Sequence, residues 1–246
     1  MVLQAQEGLL TTSPVRVLVA TAVPVERDAV AQAFTSAAVE MPLPGATLHR
    51  TASLDLLTAG VGPARAASST ASALTAAALR GAPYDLVVST GIAGGFAPDA
   101  PVGSLVVAED IVAADLGAET PDGFLPVTEL GFGTVNHRPP QPLVRDLAAA
   151  TGALAGTVLT VSTVTGSATR AAELRARHPR ALAEAMEGFG VAEAAAAHGT
   201  PVVEIRAVSN PVGPRDRATW RIGDALAALT EAFGKLAPVW KSWTSA

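Results

Sequence analysis

The chain contains no cysteine, so disulfides, thiolate metal sites and a cysteine nucleophile are all excluded. It has no Lys/Arg-rich run either: 17 basic residues stand against 22 acidic ones, for a formal net charge of -5 and a sequence pI of about 5.4. That balance argues against a surface for nucleic acid or anionic membrane and leaves a small ligand open. No uninterrupted apolar stretch is long enough for a transmembrane helix. The dinucleotide fingerprint and the P-loop are missing too, since neither Gly60-Val61-Gly62-Pro63 nor Ser89–Gly95 has their spacing. Residues 1–14 lack a basic region followed by a long apolar run. They are expected to be a short flexible lead-in rather than a signal peptide, and the expected location is cytoplasmic.

What is present is a chain of 246 residues, 49% of them hydrophobic, enough to bury a sizeable core. Much of that fraction is alanine, which calls for slim helices packed closely on a sheet. Buried strands are expected at Val15–Ala22, Leu54–Gly60, Asp85–Gly91, Gly103–Asp110, Gly156–Thr163, Ala183–Glu187 and Pro201–Ser209, where short apolar runs end in turn residues. Helices are expected at Val25–Phe34, Pro63–Arg80, Leu143–Ala150, Arg170–His178, Gly188–His198 and Arg217–Leu236. The Gly-rich stretch Gly91–Gly95 and the long stretch Gly117–Pro140 read as loops. Strands alternating with helices imply an α/β chain, a three-layer α/β/α sandwich on a mixed, largely parallel sheet. No linker splits it, so residues 15–246 are expected to form one domain.

Four segments carry residues suited to chemistry, each at the carboxyl end of an expected strand, where ligands of open α/β sheets bind. Ala22-Val23-Pro24-Val25-Glu26 puts a carboxylate at a helix start. Ser89-Thr90-Gly91-Ile92-Ala93-Gly94-Gly95 lets backbone approach a ligand closely. Ala185-Met186-Glu187-Gly188 combines a carboxylate, which can accept both hydroxyls of a ribose, with a methionine able to lie under the sugar. Glu204–Gly213 delivers Ser209-Asn210 before Pro211. Singly, each has a plainer reading as a helix-start glutamate, a turn or a core methionine.

Together, in this order, the four segments resemble the nucleoside phosphorylase and nucleosidase superfamily, in particular its methylthioadenosine/S-adenosylhomocysteine nucleosidase branch. Glu26 matches that branch's glutamate after the first strand. Thr90–Gly95 matches T-G-S-A-G-G, Ala185-Met186-Glu187 matches E-M-E, and Ile205–Asn210 matches V-R-A-I-S-D. The resemblance implies a nucleoside phosphorylase-like fold and a site in which Glu26 activates water, Glu187 and Met186 hold the ribose, and Asn210 and Ser209 stabilise the leaving base. Gly91, Ile92, Ala93 and Gly94 would line that site, and backbone groups near Val164 and Thr165 would read the purine edge. Ile92 stands where the branch has Ser, and Ala185 where it has the first Glu.

The superfamily's phosphorylases carry a G-D-P-x-R type loop after the first strand and an Arg before the Gly-rich segment. This sequence has Ala22–Glu26 and Ser89-Thr90 there, which favours water over phosphate. Asn210 replaces the Asp of adenine-releasing nucleosidases. A carboxamide offers one donor and one acceptor, which fits the O6 and departing N7–H of a 6-oxopurine. Ser209–Arg217 with Trp220 is similar to the futalosine hydrolases, which implies release of hypoxanthine from futalosine in the alternative menaquinone pathway. Another purine nucleosidase, acting on inosine or methylthioadenosine, and a non-catalytic nucleoside-binding protein are the alternatives. No cofactor or metal is implied, and the four histidines show no metal-ligand spacing. A homo-oligomer is implied, because in related nucleosidases an aromatic residue of the neighbouring subunit closes the pocket. Phe124 and Phe132 are candidates to cap the base or tail, and Arg138, Arg170 and Arg215 to pair with the tail's carboxylate.

Overall fold

The computed structural model describes residues 15–35, 38–51 and 54–243; the expected lead-in, residues 1–14, lies outside them. The apolar run after Val15 forms β1 (Val17–Thr21), every residue of it buried. Its period-two alternation supplies two cores at once. Val17 and Val19 face one layer with Leu56, Leu86, Val88, Val203 and Ile205. Leu18 and Ala20 face the other with Leu57, Val87 and Val208.

The first layer is closed by α1 (Pro24–Ala31), α3 (Gln141–Thr151) and α6 (Ile222–Ser242), through Val30, Leu143, Leu147, Phe233, Leu236 and Trp240. The second is closed by the alanine-rich α2 (Pro63–Leu79) and α5 (Gly188–Ala197). Small side chains bring these two helices into close contact. A Cβ on Gly190 would collide with the backbone of Pro63. The remaining helix, α4 (Ala168–Arg177), buries Leu174 in a smaller cluster with Phe96 and Leu159.

The sheet is mixed. At its centre β4 (Asp55–Thr58), β1, β5 (Leu86–Gly95) and β12 (Val202–Pro211) run parallel. β6 (Leu105–Ala113), β10 (Leu154–Thr160) and β11 (Ala181–Ala185) form a second parallel group, joined to β12 through an antiparallel β6–β12 pairing. The far end of β5 also pairs antiparallel with β11, at Gly94 and Gly95, so five strands close on themselves. An antiparallel hairpin, β2 (Val39–Leu43) and β3 (Ala46–Arg50), extends the β4 edge. No described helix is long and apolar enough to cross a membrane.

Several local expectations are corrected. Gly91–Gly95 is the second half of β5 rather than a loop, because β12 and β11 take up its backbone groups on both sides. Gly117–Pro140 is not a plain loop: it holds the hairpin β7 (Gly117–Thr120) and β8 (Gly123–Pro126) and the short strand β9 (Asn136–His137) against β6. β11 stops at Ala185, which leaves Glu187 outside the strand, immediately before α5. The last helix begins at Ile222, after a 3-10 turn at Arg217–Thr219, and runs to Ser242.

Candidate active site

The carboxyl ends of β1, β5, β11 and β12 open into one cavity of about 340 Å3. It is lined by Glu26, Ile92, Ala93, Gly94, Val164, Thr165, Met186, Glu187, Ser209 and Asn210. Of the residues expected to act on the water, the ribose or the base, Gly91 alone is absent from the wall. It stands behind the wall, where a Cβ would lie 2.5 Å from Glu26 Oε1 and 2.9 Å from Arg206 Nη1. Glycine here leaves the space that the Glu26 carboxylate and the Arg206 guanidinium occupy on that side.

Glu26 is the third residue of α1, whose first is Pro24. Its Oε2 accepts the N–H groups of Ala22 (3.0 Å) and Val23 (3.3 Å), and its Oε1 accepts that of Ile92 (2.9 Å). One side chain therefore takes up three backbone N–H groups, two from the turn after β1 and one from β5. The residue is buried, and burial pushes its carboxyl above the ordinary value of 4.5. Arg206 and the Ile92 N–H pull it back down, and Glu187 adds to the rise.

Glu187 immediately precedes α5, with its Oε1 accepting from Gly62 N–H (3.2 Å) and its Oε2 from Met186 N–H (3.3 Å). Gly62 and Pro63 open α2, so this glutamate ties two helix starts to the cavity.

Behind both carboxylates lies Arg206, 1% exposed. Its Nε donates to Glu204 Oε1 (2.8 Å), its Nη1 stands 3.4 Å from Glu187 Oε2, and its Nη2 donates to Ser89 Oγ (3.2 Å). Burial works against its charge, but Glu204, Glu187 and Glu26 outweigh it and hold its pKa above the usual value. Glu204 is fully buried, and burial drives its carboxyl up against the pull of Arg206. Three carboxylates thus surround one cation, and burial raises the carboxyls of two of them, Glu26 and Glu204. Room for Glu204 comes from Gly188, where a Cβ would fall inside both of its oxygens. Arg206 and Glu204 were not singled out in the sequence. The signal was there: opposite charges two residues apart in the otherwise apolar strand Val202–Val208 share one face and, once buried, must pair.

At the other end of the cavity the groups are mostly neutral. Ser209 Oγ donates to Asn210 Oδ1 (2.9 Å), and Asn210 Nδ2 donates to the carbonyl of Pro211 (3.0 Å). This turns the amide oxygen toward Ser209 and leaves one N–H of Nδ2 unspent. Thr165 corrects one expectation: its backbone N–H is already given to Glu184 Oε1 (2.8 Å) and its Oγ1 to Glu184 Oε2 (2.5 Å), so that N–H is not open to a base. Glu184 also lines the cavity and was missed as a single charge in Ala181–Ala185.

The aromatic caps do not gather here. Phe124 lies under the guanidinium of Arg177, 4.3 Å from its ring centre, and Phe132 is exposed; neither lines the cavity. Among the three candidate arginines, Arg138 pairs with Asp110 and Arg170 with Glu173. Arg215 reaches the cavity, over the ring of Trp220 at 5.1 Å.

Comparison with known proteins matches this frame along its length. The family model described as the phosphorylase superfamily covers residues 18–239. A futalosine hydrolase of Streptomyces coelicolor is 76% identical over 92% of this chain and 97% of its own, and one of Acidothermus cellulolyticus is 46% identical over 92% of each. The crystal structure of a 5'-methylthioadenosine/S-adenosylhomocysteine nucleosidase from Colwellia psychrerythraea, in complex with adenine, superposes with a TM-score of 0.81 at 22% identity. That match covers 95% of this chain and 99% of the other, a likeness of fold. With the family model and the two high-identity relatives in agreement from β1 to α6, the chain belongs to the phosphorylase superfamily, in its futalosine hydrolase branch.

Proposed function

We infer that the chain hydrolyses the N-ribosidic bond of futalosine, releasing hypoxanthine and dehypoxanthine futalosine, and serves the alternative route to menaquinone. The identity to the Streptomyces coelicolor relative supports the substrate. The observation that carries water as the nucleophile is the seating of Glu26. The N–H groups of Ala22, Val23 and Ile92, which would otherwise be free to cradle a phosphate, all point at its carboxylate. A phosphate entering there would meet a negative charge and no free donor among these three.

In this reading the C1′–N9 bond breaks as a water oxygen bonds to C1′, and Glu26 takes the water's proton. A carboxyl lifted above its ordinary value by burial is a stronger base for that step. Glu187 accepts the ribose hydroxyls and its charge stabilises the cationic sugar as the bond stretches. Met186 packs on the sugar. Arg206 holds Glu187 in place and offsets the charge of the two wall carboxylates. The electron pair of the broken bond leaves with the base, which takes a proton from solvent water at N7 as Glu26 later returns its own to solvent; Asn210 Oδ1 accepts that N7–H while Nδ2 meets O6. Ser209 holds the amide in that sense, and Val164 backbone groups meet the purine edge. Residues 15–246 act as one domain in a cytoplasmic homo-oligomer. Val61 and Val164, both exposed at the cavity mouth, suit cover by a second copy.

The test is base release from futalosine, inosine and methylthioadenosine, followed by chromatography. Hypoxanthine from futalosine, with a kcat/KM well above the other two, is the expected result; adenine from methylthioadenosine at a comparable rate would overturn the substrate.

A further inference from the structure

A third carboxylate in the cavity wall has no part in the reaction just described. Glu184, on β11, is the direct register partner of Gly94 on β5, and the partner of Gly94 on its other side is Asn210 on β12. Residues in register on adjacent strands share a face of the sheet, so a carboxylate and an amide flank a glycine. Gly94 raises nothing between them; a Cβ there would stand 3.4 Å from Asn210 Nδ2 and 3.0 Å from Val212 Cγ2. Strands lie about 4.8 Å apart, which separates the two flanking backbones by about 10 Å. That span suits a flat bicyclic base with a hydrogen bond at each end.

Glu184 is buried but lines the cavity. Each of its oxygens accepts one hydrogen bond, both from Thr165. A carboxylate oxygen accepts two, so each keeps a lone pair, and the Thr165 clamp fixes where it points. The charges that influence it are spoken for elsewhere: Arg170 pairs with Glu173 at 2.6 Å, and Asp115 accepts Ser162 N–H at 2.6 Å. Burial raises its carboxyl and the two Thr165 hydrogen bonds pull it back down; in the ionised form the group is acceptor-only, rigid and short of a donor. A 6-oxopurine carries a hydrogen at N1, whereas a 6-aminopurine carries a lone pair there. We propose that Glu184 accepts the N1–H of the base and, across Gly94 from Asn210, selects 6-oxopurines over 6-aminopurines.

The inference rests on the reading of the site as one that releases hypoxanthine, and its test separates the two. Binding of hypoxanthine, 1-deazahypoxanthine and adenine is measured by calorimetry on the wild-type protein and on Glu184→Gln, beside futalosine hydrolysis by the same wild-type preparation. Gln keeps both Thr165 contacts but can turn a donor as well as an acceptor to the base. The wild type should bind hypoxanthine about 10- to 100-fold more tightly than 1-deazahypoxanthine. In Glu184→Gln that gap should shrink and adenine should gain affinity. Equal wild-type binding of the two bases overturns the proposal without recourse to the variant, and so does a gap unchanged in a folded Glu184→Gln. A gap that stands in a protein inert toward futalosine supports Glu184 and overturns the substrate. Turnover of futalosine with no gap overturns Glu184 alone.

Discussion

The two ends of the cavity solve opposite problems. At the sugar end, Glu26, Glu187, Glu204 and Arg206 are all buried and settle their charges largely against one another, with the wall glutamates fixed by backbone N–H groups. At the base end, Asn210, Ser209 and Glu184 are also anchored, but each anchor leaves an acceptor or donor unspent. The first arrangement fits a transition state that becomes charged, where fixed charges in a dry site act most strongly. The second fits recognition of a neutral base by matching donors to acceptors. Reaction and specificity are thereby assigned to different parts of the wall: the turn after β1 and the start of α5, backed by Glu204 and Arg206 from the middle of β12, for the former, and β11 with the carboxyl end of β12 for the latter.

Glu26→Gln cuts most deeply into that division. It keeps the shape and removes the base, so kcat should fall by about 100- to 10,000-fold while hypoxanthine affinity, measured by calorimetry, stays near wild type. Loss of both together would mean that the two ends are not separable. Asn210→Asp tests the other end. Without the Nδ2 donor to O6, kcat/KM for futalosine should drop about 10- to 100-fold, and release of adenine from a 6-amino nucleoside should rise.

Gly188→Ala probes the packing beneath the sugar end. Its Cβ displaces Glu204, and overpacking of this kind costs about 1–3 kcal/mol, a fall of about 2–10 °C in Tm by calorimetry. A mutant as stable as wild type would mean that Glu204 has another place to go.

The pH dependence is smaller but of definite sign. Glu204 has a folded pKa above its unfolded 4.5, so the folded state binds its proton more tightly. Its contribution to stability is present below 4.5 and is lost as pH rises through the raised value. Glu204→Gln should therefore flatten the decline of Tm across that window. Activity moves the other way: Glu26 works ionised, so kcat/KM should fall as pH drops through a value above 4.5. The least effect is expected from Arg215→Ala at the rim, a few-fold rise in KM for futalosine with kcat unchanged.

The frame was legible because apolar runs and Gly/Pro punctuation mark strands and helices locally; β1, α2 and β12 fall close to where the sequence puts them. The wall residues were legible because Glu26, Met186-Glu187 and Ser209-Asn210 follow strand ends. What escaped depends on partners distant in sequence. Gly91–Gly95 looks like a loop until β11 and β12 arrive to bond it. Glu204 and Arg206 are two charges in an apolar strand until Glu187, Ser89 and the missing Cβ of Gly188 explain them. Glu184 gains meaning only through Thr165 and the register at Gly94.

The central claim is that Glu26 occupies the place of a phosphate and makes water the nucleophile. Futalosine turnover with and without saturating phosphate, with mass spectrometry of the sugar product, addresses it most directly. The account predicts equal rates and a free anomeric hydroxyl under both conditions. A strict requirement for phosphate, with a sugar 1-phosphate as product, would contradict it.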